Sequence, residues 1–224
     1  MSEHLTVSRR RLLQLATGAF AAWQIAPWAD RLQALAGAPG DTTSDALTMT
    51  LEAFADTLIP GRRRYEGDYA IAGVVRGAGA VQAGAVDLMW FPQAAIGPAL
   101  PALGSLLNAR AAAYAAQHQR VLDPTLPPLV ALNFTDRTQL LLQLLDPTAE
   151  DYLLWWALAA MPFLAFHTAA HLHTAAAVRD GHPGLRSIGF PKPDPDGLWR
   201  FPHYSYRRRL AASHPQTTDT GNPR

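Results

Sequence analysis

Tyr152-Leu153-Leu154-Trp155-Trp156-Ala157-Leu158-Ala159-Ala160-Met161-Pro162-Phe163-Leu164-Ala165-Phe166 is the stretch that decides the fold. No charged or hydroxyl-bearing aliphatic side chain interrupts it. A membrane span needs about 20 apolar residues, and this run is shorter and carries a proline. It reads as a core helix running from Asp151 to Arg179, central to the molecule and kinked at Pro162. Working outward, Asp146-Pro147 ends a preceding helix whose apolar run is Leu140-Leu141-Leu142 and Leu144-Leu145. Thr135 is its expected cap.

Further upstream, Leu103 to Arg120 reads as a helix, followed by a proline-rich connection from Leu122 to Asn133. Ala80 to Phe91 reads as another, ahead of a loop over Pro92 to Pro101. The segment from Asp68 to Ala80 is glycine-rich and looser, since each glycine weakens a helix by about 1 kcal/mol. Ser44 or Asp45 caps a helix to about Ile59, with Leu47, Leu51, Phe54 and Leu58 on one face. Pro60-Gly61 stops it, and Arg62-Arg63-Arg64 opens an exposed turn. No alternation of period two appears before residue 185. The fold class is all-α: an irregular helical bundle with an extended aromatic, proline-rich C-terminal arm.

The amino-terminal end carries a different signal. Ser8-Arg9-Arg10-Arg11-Leu12-Leu13 precedes a diluted apolar segment that Pro27 breaks, and Ala34-Leu35-Ala36 is a small-x-small cleavage candidate. Ser8, Arg9, Arg10, Leu12 and Leu13 together read as a twin-arginine export signal, with Ala34 and Ala36 flanking the cut. That route carries folded proteins. It implies a chain exported to the periplasm or cell exterior, or held at the membrane through an uncleaved signal. The expected organisation is a signal segment over 1–36, a helical bundle over 37–179, an arm over 180–210 and a polar tail over 211–224.

Composition narrows the chemistry. The 224 residues carry a formal charge of +1. Residues 1–36 hold four arginines and two acids, so the remainder has 15 basic and 16 acidic residues, or −1. That balance gives no electrostatic case for nucleic acid. There is no cysteine, which removes thiolate zinc sites, iron–sulfur clusters and Cys-x-x-Cys-His haem attachment.

His167 and His171 stand at i and i+4, and on a continuous helix they share a face. They are the candidate metal pair, with Asp151 or His203 as a further ligand, and on that reading the chain is an independent exported enzyme or metal-binding helical protein. The other reading is histidines at the polar end of a core helix. No glutamate lies between them, and the four glutamates of the chain form no Glu-x-x-His pair, the pattern of di-iron bundles. No catalytic residue is assigned: Ser105, Ser187, Ser205 and Ser213 lack a nucleophile elbow. Gly77-Ala78-Gly79 lacks the third glycine of a dinucleotide loop. Trp199, Phe201, Tyr204, Tyr206 and Arg207 suit a partner surface, because aromatic residues and arginine are favoured there; the alternative is that this arm covers its own bundle. The other reading of the Arg207-Arg208-Arg209 and Arg62-Arg63-Arg64 runs is a solvated face.

Leu51-Glu52-Ala53-Phe54-Ala55-Asp56-Thr57-Leu58-Ile59-Pro60-Gly61, with Ala83-Gly84-Ala85-Val86-Asp87 after it, resembles the gluconate 2-dehydrogenase subunit 3-like family. These are small subunits of membrane-associated sugar dehydrogenases, and they often carry twin-arginine signals. The likeness covers mainly residues 1–90. Phe163 to His173 and Gly189 to Tyr206 look like an actinobacterial-type branch. The resemblance implies a non-catalytic accessory chain with no cofactor of its own. Its partner would be a flavin-dependent oxidoreductase of the glucose-methanol-choline type that holds FAD. The twin-arginine export machinery would be a second partner, and the resemblance leaves room for a cytochrome subunit. Pro60 and Gly61, at the end of the shared motif, are expected partner contacts. Arg62 to Arg64 departs from the family pattern, which has acidic or small residues there.

Overall fold

The structure is a computed structural model that describes residues 44–94 and 96–193. It divides into two units, Met1–Phe190 and Pro191–Arg224. Of the second, only residues 191–193 are described, and they are neither helix nor strand. The export residues Ser8 to Leu13, the cleavage site, His203, and the aromatic and arginine residues from Trp199 to Arg207 lie outside the described residues.

The first unit is all-α. Among the described residues there is no strand, and the helices are α1 (Ser44–Leu58), α2 (Ala85–Trp90), α3 (Leu100–Gln117), α4 (Pro128–Ala131), α5 (Phe134–Leu144), α6 (Tyr152–Thr168), α7 (Thr174–Arg179) and α8 (Pro183–Ser187). Two 3-10 turns, Pro92–Ala94 and Gly97–Ala99, lead into α3.

The centre is α1. Leu47, Leu51 and Phe54 form its apolar face, as their spacing predicts, but Thr50, Asp56 and Thr57 are buried as well. The helix packs against α2, α3, α4, α5 and α6. Its buried polar groups are all satisfied. Thr57 donates to Ala53 O at 2.6 Å, and Thr50 donates to Ala46 O while accepting from Asn108 Nδ2 at 3.0 Å. Asn108 Oδ1 also accepts from Leu129 N–H. One amide thus ties α1, α3 and the start of α4 together, at sites where an unpaired polar group costs about 1–3 kcal/mol.

Several sequence expectations are corrected. Helix α6 is not the centre of the bundle: it packs on α2, α8 and α1 and leaves one side to solvent. It also does not run on to Arg179. Ala169 takes a left-handed conformation at φ 49°, and residues 169–173 form a turn before α7. Chain past residue 179 is helical again, since Pro183 starts α8, so the first unit extends beyond the expected bundle boundary. The cap of α5 is Asn133, whose side chain accepts from Asp136 N–H at 2.9 Å, and not Thr135. Helix α2 is shorter than expected because Gly84, at φ 78°, sits in the left-handed region just before it. Helix α3 starts earlier, at Leu100, because Pro101 suits a first turn that needs no N–H.

Candidate functional site

Three places in the first unit carry polar or apolar groups beyond what the bundle itself uses. The first is the loop from Pro60 to Gly79, twenty residues without helix or strand. Loops of that length are uncommon unless they serve a function. Its base is closed by backbone bonds from Arg62 N–H to Gly77 O at 2.8 Å and from Ala80 N–H to Ile59 O at 2.9 Å. Gly79 permits this closeness: a Cβ there would lie 2.4 Å from Ile59 O and 2.5 Å from Gly61 N.

The interior of this loop is clamped by charge. Asp56 accepts from Gly61 N–H and Ala72 N–H, each at 2.8 Å. Burial lifts the Asp56 carboxyl above its ordinary value, against the pull of those two amides and of Arg137. Arg137, buried on α5, donates to Ala70 O, Tyr69 O, Val130 O and Leu132 O at 2.6 to 2.9 Å. Burial draws its guanidinium down to about 10, so it stays charged at neutral pH. Arg64 makes a bidentate pair with Glu52 at 2.5 and 2.6 Å and reaches Asp68 at 2.8 Å. Burial pushes Asp68 up, yet its bonds to Arg64 outweigh this and hold it below the ordinary range.

The arginine triplet is therefore divided. Arg64 is a structural clamp, while Arg62 and Arg63 are exposed, Arg63 with its Nε on Ile71 O. Gly61 is buried, its N–H is taken by Asp56, and a Cβ would meet Gln82 Oε1 at 2.2 Å. Pro60 is half-buried beside it. The motif that carried the family resemblance is, in this chain, the anchor of a rigid loop.

The second place is a cleft of about 480 Å³ over the start of α2, whose polar lining is Gln82, Asp87, His171 and His182. His171 and His182 stand with ring centroids 6.4 Å apart. His182 is committed to structure: its Nε2–H donates to Ala83 O at 3.1 Å, and its Nδ1 accepts from Leu185 N–H at 3.3 Å, capping α8. His171 lies against Gly84, where a Cβ would come within 2.4 Å of its Nε2. Its Nδ1 is buried without a hydrogen-bond partner. Burial holds this imidazole below its ordinary value, against the Asp87 carboxylate and with the help of His182.

The two histidines of the expected metal pair do not lie on one continuous helix, because α6 ends at Thr168. His167 is on the last turn of α6, exposed, with Nδ1 at 3.0 Å from Phe163 O. His171 is past the helix break and turned toward α2. Asp151 is sixteen residues before His167, about 24 Å along a helix, and is occupied by Arg110 and Trp155 at 2.8 and 2.9 Å. Among the described residues no three His, Cys, Asp or Glu side chains gather to hold a metal ion. Ser187 spends its hydroxyl on Gly184 O, and Ser105 donates to Pro101 O.

The third place is a ridge along α6. Leu153, Trp156, Ala160, Phe163 and His167 follow one another by alternating steps of three and four residues, the spacing of a coiled-coil seam. Leu153 is 49%, Trp156 39% and Phe163 44% exposed. The opposite side of the helix is core: Leu154, Trp155 and Leu158 are fully buried. Sequence reasoning missed the ridge because a helix apolar on every side is expected to be buried on every side. No helix of the described residues is long and apolar enough to cross a membrane.

The chain belongs to a family of unknown function (DUF5987), whose model matches residues 45–224. No curated protein and no solved structure matches it.

Proposed function

We propose that this family member is a non-catalytic accessory chain: it binds a folded flavin-dependent oxidoreductase and helps it mature and leave the cell. The observation that carries the reading is the α6 ridge. Leu153 and Phe163 stand in solvent on the same helix that holds Trp155 in the core. Contiguous exposed apolar surface of this kind marks a docking site. Its seam spacing suits a helix or a flat apolar face of a partner.

Two sequence features support the rest. The twin-arginine segment at Arg9 and Arg10 gives a route for an already folded complex to the periplasm or cell exterior. The Ala55 to Gly61 motif resembles small subunits that serve glucose-methanol-choline-type enzymes. FAD belongs to the partner in this reading, and the assembly leaves room for a cytochrome subunit. In the cleft over α2, Gln82 and His182 are spent on the chain's own backbone, which leaves Asp87 and His171, whereas an active site needs several convergent polar groups in one pocket.

Export tests the reading. Arg9→Lys combined with Arg10→Lys is expected to leave both this chain and the flavoprotein in the cytoplasm, followed by fractionation and immunodetection of the two. Undiminished export of the flavoprotein in that strain would overturn the escort role.

A further inference from the structure

The closed loop carries a second surface, separate from the α6 ridge. Arg62 N–H bonds Gly77 O, and Arg63 Nε donates to Ile71 O at 3.2 Å. Arg63 also lies over Gly73, where a Cβ would meet its Cγ at 2.9 Å. Residues 62–63 and 71–77 therefore run side by side. Arg62, Arg63 and Arg76 are brought around Val74 and Val75, which are 51% and 39% exposed. Tyr65 and Tyr69 stand exposed on the same loop.

The acids near this tip are largely spent. Glu52 and Asp68 are paired with Arg64, and Asp56 is turned inward to two backbone amides. Glu66 is the exposed acid of the loop. The loop that carries the tip is anchored, because Asp56, Arg137 and Gln82 bond its backbone at Gly61, Ala72, Tyr69, Ala70, Gly79 and Arg62. A preorganised surface loses little conformational freedom on binding.

We propose that this loop tip rests on an anionic lipid bilayer, with the two valines entering the acyl boundary. The tyrosines sit at headgroup level, where amphipathic rings concentrate. The guanidiniums face lipid phosphates, which they bind through paired N–H donors. A bilayer fits better than an acidic protein surface for two reasons. Valine is under-represented among the residues that anchor protein interfaces. A closed loop tip is a protrusion, and a bilayer accepts one without a matching pocket.

The test is co-sedimentation of the full chain with phosphatidylcholine vesicles, with and without phosphatidylglycerol. The intact chain is expected to bind the anionic vesicles more tightly, and less tightly as salt rises. Arg62→Gln with Arg76→Gln is expected to lower the partition coefficient about 25-fold, roughly fivefold for each arginine lost. Val74→Ser with Val75→Ser is expected to weaken binding as well. All four side chains are exposed, so thermal unfolding should be unchanged in both variants. Because every variant keeps the amino-terminal segment, binding through that segment is common to all. The proposal falls if both variants bind like the parent, if lipid charge makes no difference, or if the parent ignores vesicles. The last outcome would reassign the patch to a protein surface.

Discussion

Replacing Arg137 with leucine is expected to destabilise the first unit by about 3–5 kcal/mol, the cost of breaking a buried, fully bonded charge. The guanidinium donates to four carbonyls, two of them in the Pro60–Gly79 loop. Leucine fills part of the space and supplies none of those donors. Three of the four bonds are buried, so their acceptors would be left without water, and the Asp56 carboxylate would lose the opposite charge of Arg137. For a chain of this size the loss corresponds to a melting temperature lower by roughly 10 °C. Hydrogen exchange should rise first in residues 61–72, where the clamp acts, while the buried side of α6 stays protected. A variant that melts within a degree or two of the parent would show that this network does not hold the loop.

Gly184→Ala is the second large effect. A Cβ at this position would sit 1.9 Å from Phe166 O and 2.7 Å from Phe166 C, both main-chain atoms that no rotamer change can move. Helix α8 must shift away from the end of α6. Leu185 then loses its buried seat, and His182 loses its hold on Ala83 O. Overpacking of this severity costs about 3 kcal/mol. Gly77→Ala is the matched control, because a Cβ there meets nothing within 4 Å. Equal melting temperatures for the two variants would contradict the packing of α8 on α6.

What was legible in the sequence follows from what is local. Helix α1 announces itself by Leu47, Leu51 and Phe54 on one face and by Pro60-Gly61 at its end. The existence of α6 is equally plain. Its end is not, because His167-Thr168-Ala169-Ala170-His171 holds neither glycine nor proline. The break at Ala169 is imposed from outside, where α8 returns along the last turn of α6 and His171 reaches Gly84. Hence two histidines that look aligned in sequence lie on either side of a helix break.

The loop clamp was hidden for the same reason. Asp56 and Arg137 come from helices far apart in the chain, and the sequence holds no local pattern that joins them. The one local hint was a lone carboxylate in an otherwise apolar turn ahead of Pro60. Hydropathy also misplaced the centre of the bundle. The most apolar helix lies at the edge with an open ridge, while α1, with buried Thr50 and Asp56, occupies the middle. Apolar content reports how much surface a helix must hide and not which molecule hides it.

The most direct test of the docking account is the flavin content of this chain purified from its own host under native conditions. The preparation is expected to contain FAD and a second polypeptide, and both should be lost when Leu153→Ser and Phe163→Ser are combined in a chain that still folds. Flavin that is absent from the parent preparation, or that survives loss of the ridge, would contradict the claim that α6 is where the oxidoreductase binds.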